Sequence, residues 1–373
     1  MQRLSSPSRP LLSSVASRWW WPPALARRLD PPLRRVSSEA TWGQDVNLHD
    51  SDEDPSSATK ARTTEIVIKE DEEEASDYEY NLGHVLEKSG HRDGSMYRAI
   101  GWGWKRDYSL GDRSETRLGA MVFSDPAKRM TRPCSMLQIF SLEFAKIPGN
   151  DGLVELYGYV AARDDVDKML NYVINISRNS HIGAVLEGSL INMGGGPKRG
   201  IDLVDEAIIE YDMRIKRGRQ ERHDLQLIDG ATILGPHGTW DRPFTYDISN
   251  DCGGTVNITL ARLSWAVEAT VEVLISEVQD GFNMSLRCFT SGFDSEIRLF
   301  NGAITDSRGL KRSVVAVMKR SYIRLKFKVV APSCCSKSQY RCTYKAKTHG
   351  HNAREIKTDF ALISVKVTWS TLP

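Results

Sequence analysis

Long apolar runs, helical periodicity and cysteines are all scarce in this chain, and each shortage excludes something. No stretch of about eighteen apolar residues occurs, so the sequence offers no helix able to span a bilayer. The six cysteines, Cys134, Cys252, Cys288, Cys334, Cys335 and Cys342, are few for 373 residues and irregularly spaced. That excludes the dense disulfide framework of a small secreted domain and makes a reducing compartment the default. An excess of one charge is also lacking, with 50 Lys and Arg against 48 Asp and Glu for a formal +2. Any attraction to nucleic acid or a membrane surface must therefore come from a local patch. No stretch carries a recognisable catalytic or cofactor signature, and no cofactor is expected.

What the chain does have is alternation with period two, in Ala207 to Lys216, Val267 to Ile275 and Tyr322 to Val330. Successive side chains of a strand point to opposite faces, so these stretches predict half-buried antiparallel sheet. In the middle one, Val267, Ala269, Val271, Val273 and Ile275 share a face. Glu268, Thr270, Glu272 and Ser276 form the other, a wet face broken only by Leu274. Further candidate strands, among them LQIFSLEFAKI, GLVELYGYVAA, DLQLIDGATIL, TVNITLARL, AVEATVEVLIS and FNMSLRCFT, are bounded by Gly, Pro, Asn or Asp clusters. The single helical candidate is Asp164 to Tyr172. The fold class expected is all-β: an antiparallel β-sandwich, or two abutting pairs of sheets, over about Met136 to Trp369.

The N-terminal third differs in texture. Residues 1–40 are rich in Arg and Ser with no acid before Asp30, the composition of an organelle transit peptide or of an extended leader. The first reading implies a mitochondrion or chloroplast, the second a cytoplasmic protein. Residues 41–96 carry the like-charge runs DSDEDPSS and KEDEEEASDYEY and are expected to be a disordered acidic linker. From Tyr97 a Gly-rich stretch gathers Trp102, Trp104 and Tyr108 with Lys105 and Arg106. It reads as a lead-in packing on the side of the domain 97–373, or as a stacking surface for bases or sugars.

Several groups of residues are candidate sites. Arg324, Lys326 and Lys328 alternate along one strand near Lys311, Arg312, Lys319 and Arg320, and such a stripe either contacts phosphate or blocks pairing at a sheet edge. Cys334, Cys335, Cys342, His349 and His351 gather metal-ligand types, but without a CxxC pair, so a hairpin loop with free thiols competes with zinc. Asp164, Asp165 and Asp167 with Asp202, Asp205 and Glu206 suggest either a calcium or glycosidase site or solvated loop acids. GGGPKRG, residues 194–200, lacks the Ser or Thr and following helix of a phosphate loop and reads as a turn between strands.

YGYVAARD, GPKRGID and LQLIDGA, in this chain order and followed by EIRLFNGAI and ISVKVTWS, resemble a family of grass proteins defined by a domain of unknown function. The resemblance covers about Tyr97 to Ser370. It implies a plant protein, linked to stress or defence. Some members of that family are similar to the C-terminal halves of jasmonate-induced ribosome-inactivating proteins, whose separate N-terminal domain removes adenine from ribosomal RNA. Such an N-glycosylase needs paired tyrosines and a helix with Glu and Arg one turn apart. The nearest approximation here, Glu268 to Glu272, has no Arg in register and strand periodicity. The expectation is a non-catalytic binding or regulatory module, with an RNA-directed enzyme as the alternative and a protein or RNA as partner.

Overall fold

The structure, a computed structural model, describes residues 84–85, 90–91, 94–95, 112–121, 132–148, 152–180, 185–249, 253–330 and 337–372. The leader, most of the acidic linker, the aromatic lead-in and the pair Cys334–Cys335 lie outside the described residues. The strands, in chain order, are β1 (His84–Val85), β2 (Cys134–Lys146), β3 (Leu156–Arg163), β4 (Asn171–Ile176), β5 (Ser189–Leu190), β6 (Ile201–Asp202), β7 (Ala207–Ile215), β8 (Leu225–Leu234) and β9 (Phe244–Ser249). There follow β10 (Thr255–Ser276), β11 (Phe282–Thr290), β12 (Ile297–Ile304), β13 (Arg308–Gly309), β14 (Ser313–Met318), β15 (Tyr322–Val330), β16 (Lys337–Lys345), β17 (Gly350–Lys357) and β18 (Leu362–Ser370).

They form three antiparallel sheets. One of five strands runs β1-β8-β7-β3-β4, one of four runs β12-β11-β15-β16, and one of nine is built around β10. The N-terminal part of β10 pairs with β2 and β9, its C-terminal part with β14 and β18. All three sheets contribute to a single apolar core, with Tyr211 and Met213 from the first, Leu286 and Phe327 from the second, and Leu260, Val271 and Trp369 from the third. This is the all-β sandwich that the alternation predicts.

At 22 residues β10 spans about 70 Å. The sequence presents it as two strands, because the apolar positions are even-numbered in Val256, Ile258 and Leu260 and odd-numbered from Val267 onward. A bulge explains the change: register with β2 shifts between Leu263 and Ala266, and Trp265 has φ +50°. The extra residue offsets the alternation by one and the strand continues.

Four expectations need correction. No helix forms over Asp164 to Tyr172; Asp164 accepts the backbone N–H groups of Val166 and Asp167 in a turn, and β4 begins at Asn171. Glu268 and Thr270 are not on a wet face, since residues 194–202 cover that side of β10; Glu268 accepts the Gly200 N–H at 2.6 Å and the Ser370 hydroxyl at 2.7 Å. Strand β7 is buried along its whole length rather than on one face. Finally, β15 is not an edge strand, because β11 and β16 flank it.

Candidate functional site

The basic stripe widens once the strands are paired. Lys326 stands opposite Arg287 of β11 and Arg341 of β16, and Arg287 stands opposite Arg298 of β12. Side chains directly across a ladder share a face, so these four cations form a row across the whole sheet. Arg324 and Lys328 flank Lys326 on the same strand, with Thr343 and Gln339 as their neighbours on β16. The opposite side of β15 explains why this face points outward: Ile323, Leu325, Phe327 and Val329 are buried in the core.

No Asp or Glu occurs in any of the four strands. Among the described residues, the acid that pairs with the row is Glu296, in the loop before β12, 2.9 Å from Arg287. Aromatic rings lie between the cations. Lys326 Nζ sits 4.1 Å from the centroid of the Phe289 ring, and the Arg324 guanidinium 5.4 Å from that of Tyr322, whose hydroxyl accepts a hydrogen bond from Arg324 at 3.0 Å. The face thus offers phosphate-binding cations and π surfaces together, fixed on four paired strands rather than on loops. In a chain whose total charge is near zero, the concentration of cations comes from strand pairing.

The other candidates fall into different places. Cys342 is buried in β16, not in a loop, with its thiol pKa raised by burial, whereas His349 and His351 are exposed. No group of three or more metal-ligating side chains occurs among the described residues. Asp164 and Asp202 are buried instead of solvated. Asp164 takes a bidentate pair from Arg199, both contacts 2.7 Å, with both side chains fully buried. Burial, then the neighbouring Asp164, pushes the Asp202 carboxyl up to about 6. Residues 194–200 do form a connection between strands, β5 to β6, and Gly194, Gly195 and Gly196 all have positive φ.

A second ionic group, not visible in the sequence, covers the outer side of the five-stranded sheet. Arg163 donates to Glu210 at 2.6 Å, and His91 lies between Asp229, 2.6 Å from Nδ1, and the Tyr159 hydroxyl, 3.2 Å from Nε2. Burial opposes charge on His91, yet Asp229 and Glu210 outweigh it and hold the pKa up at about 9. The signal available was the coincidence of motifs. YGYVAARD supplies Tyr159, Arg163 and Asp164, GPKRGID supplies Arg199 and Asp202, and LQLIDGA supplies Asp229. Those three segments hold the framework together: removing one member of a buried pair typically costs about 3–5 kcal/mol.

Among solved structures, the human GIVD cytosolic phospholipase A2 matches at 10% identity and a TM-score of 0.23, over 65% of this chain and 33% of that chain. The calcium-bound pair of C2 domains of extended-synaptotagmin 2 matches at 9% identity and a TM-score of 0.20, over 65% of this chain and 98% of that one. The chain therefore spans about a third of the phospholipase structure, and scores this low carry no argument about function. No curated protein matches. A family model does match, over residues 136–367, a span that takes in the four-stranded sheet, most of the other two, and the Arg163–Glu210 and Arg199–Asp164 pairs. By that match the chain belongs to the family of the Domain of unknown function (DUF6598).

Proposed function

We propose that this protein is a non-catalytic binding module, and that the outer face of the four-stranded sheet takes a polyanion, single-stranded RNA in particular. The observation that supports this reading is the row Arg298, Arg287, Lys326 and Arg341, interleaved with Phe289 and Tyr322 on strands devoid of acids. Cations contact phosphate, and rings next to them stack on bases without requiring a sequence. Ribosomal RNA is the first substrate to try, since the resemblance implies an association with ribosome-inactivating proteins from grasses.

A filter-binding titration of the full chain against ribosomal RNA at about 50 and about 200 mM salt tests the reading. Three phosphate contacts predict a log–log salt slope of about −2. Replacing Arg324, Lys326 and Lys328 with Glu should abolish retention and leave the circular dichroism spectrum unchanged, because the buried residues of β15 are untouched. No salt-dependent retention by the wild type would refute the proposal. A depurination assay on ribosomes separates binding from the alternative reading, an RNA-directed N-glycosylase.

A further inference from the structure

Two residues with left-handed backbone meet on one cavity. Asp241, at φ +56°, and Trp265, at φ +50°, both line a space of about 740 Å³ between the bulge of β10 and the turn from β14 to β15. Backbone hydrogen bonds hold them there: the Asp241 N–H donates to the Arg262 carbonyl at 2.7 Å, and the Trp265 carbonyl accepts the Lys319 N–H at 2.8 Å. Such conformations are costly for a side chain with a Cβ, and they concentrate where ligands are held.

The two side chains have complementary characters. The Trp265 indole is exposed, so burial in the core does not account for an aromatic ring at this position. The Asp241 carboxylate is fixed in direction, because Ser264 donates its N–H to one oxygen at 2.7 Å and its hydroxyl to the other. A carboxylate has about four acceptor positions, so both oxygens can still accept from a ligand. Among the described residues no cation pairs with it. The rest of the lining is Ser264, Lys319, Arg320, Ser321, Pro133 and Met318.

A flat ring open to solvent with polar groups around it matches the two sides of a sugar. The C–H face of a pyranose packs on the negative face of the indole, while its hydroxyls donate to Asp241 and accept from Lys319 and Arg320. Other partners fit less well. An unneutralised carboxylate repels the phosphates of a nucleic acid or an anionic lipid, and the polar rim leaves the ring without the close-packed surroundings of a protein hot spot. Cavities of about 300–1,000 Å³ hold molecules of drug size, the size of a short oligosaccharide.

We propose that Trp265 and Asp241 form a saccharide-binding site in which a pyranose stacks on the indole. A β-linked glucose unit fits best, because its ring hydroxyls are all equatorial and both faces present only C–H. The site shares no residue with the cation row of the four-stranded sheet and goes beyond the reading proposed for that row.

Calorimetric titration of the full chain with cellohexaose provides the test. The wild type should bind with a dissociation constant of about 1 mM or tighter. Trp265→Ala should weaken binding about tenfold or more while leaving the melting midpoint unchanged, and Trp265→Tyr should restore most of the affinity. Asp241→Ala should weaken binding as well. The variant in which Arg324, Lys326 and Lys328 are replaced by Glu should bind cellohexaose as the wild type does, so this site stands or falls separately from RNA binding. No heat of binding in the wild type, undiminished affinity in Trp265→Ala, or loss of binding in the triple Glu variant would overturn the proposal. So would retention of ribosomal RNA, or of phosphatidylserine vesicles, that falls in Trp265→Ala, since the indole would then serve a base or a lipid.

Discussion

At the scale of single residues, charge is buried where alternation predicts water. Glu210, Asp212 and Arg214 occupy every second place in β7, the pattern of a solvated face, yet all three are buried. Periodicity records that a face is polar; it does not record whether other polar groups cover it. Arg163 and His91, far away in the chain, cover this one. The pKa of His91 makes the arrangement measurable. Its folded value, about 9, lies above the ordinary 6.5, so its stabilising contribution is complete below about pH 6.5 and is lost as pH rises through 9. Urea denaturation across that interval should show stability falling by up to about 3 kcal/mol, and His91→Gln should flatten the slope. An equal slope in the variant would assign the pH dependence to other groups.

Strands and their pairings were legible to different degrees. The composition of β15 was plain from Tyr322 to Val330, including which residues face outward, but its neighbours were not, and an edge and a centre have the same alternation. Only pairing brings Arg298, Arg287 and Arg341, distant in sequence, beside Lys326. In β10 the obstacle was the bulge, which breaks the period for one residue. Trp265 at that bulge adopts a left-handed conformation that costs a side chain with a Cβ about 1–2 kcal/mol. It is 64% exposed, so little packing is lost with it. Trp265→Gly should consequently leave stability unchanged or raise it by about 1 kcal/mol, read from the thermal midpoint. A drop of several degrees would show that the indole is held by contacts stronger than its exposure indicates.

For the molecule as a whole, composition separated the N-terminal third from the β-rich remainder, but it did not show where the fold begins. His84–Val85 pair with β8, and the backbone N–H of His91 donates to Asp229 at 3.0 Å, so this part of the acidic segment is fastened to the five-stranded sheet. Removing residues 1–80 should leave the melting midpoint unchanged. Removing 1–95 deletes β1 and His91 and should lower it by several degrees, about 2–4 °C for each kcal/mol lost. Equal midpoints for the two truncations would mean that these contacts contribute nothing.

Strand β10 also restricts how this architecture can be inherited. Its first half belongs to the pairing with β2 and β9 and its second to that with β14 and β18, so this one strand is what joins the two pairings into a single nine-stranded sheet. Recombination that delivered one half to another gene would deliver a sheet with an open edge, liable to aggregate. The continuous strand thus makes the two pairings one unit of inheritance, whose halves can diverge in surface but lose a shared strand if they separate.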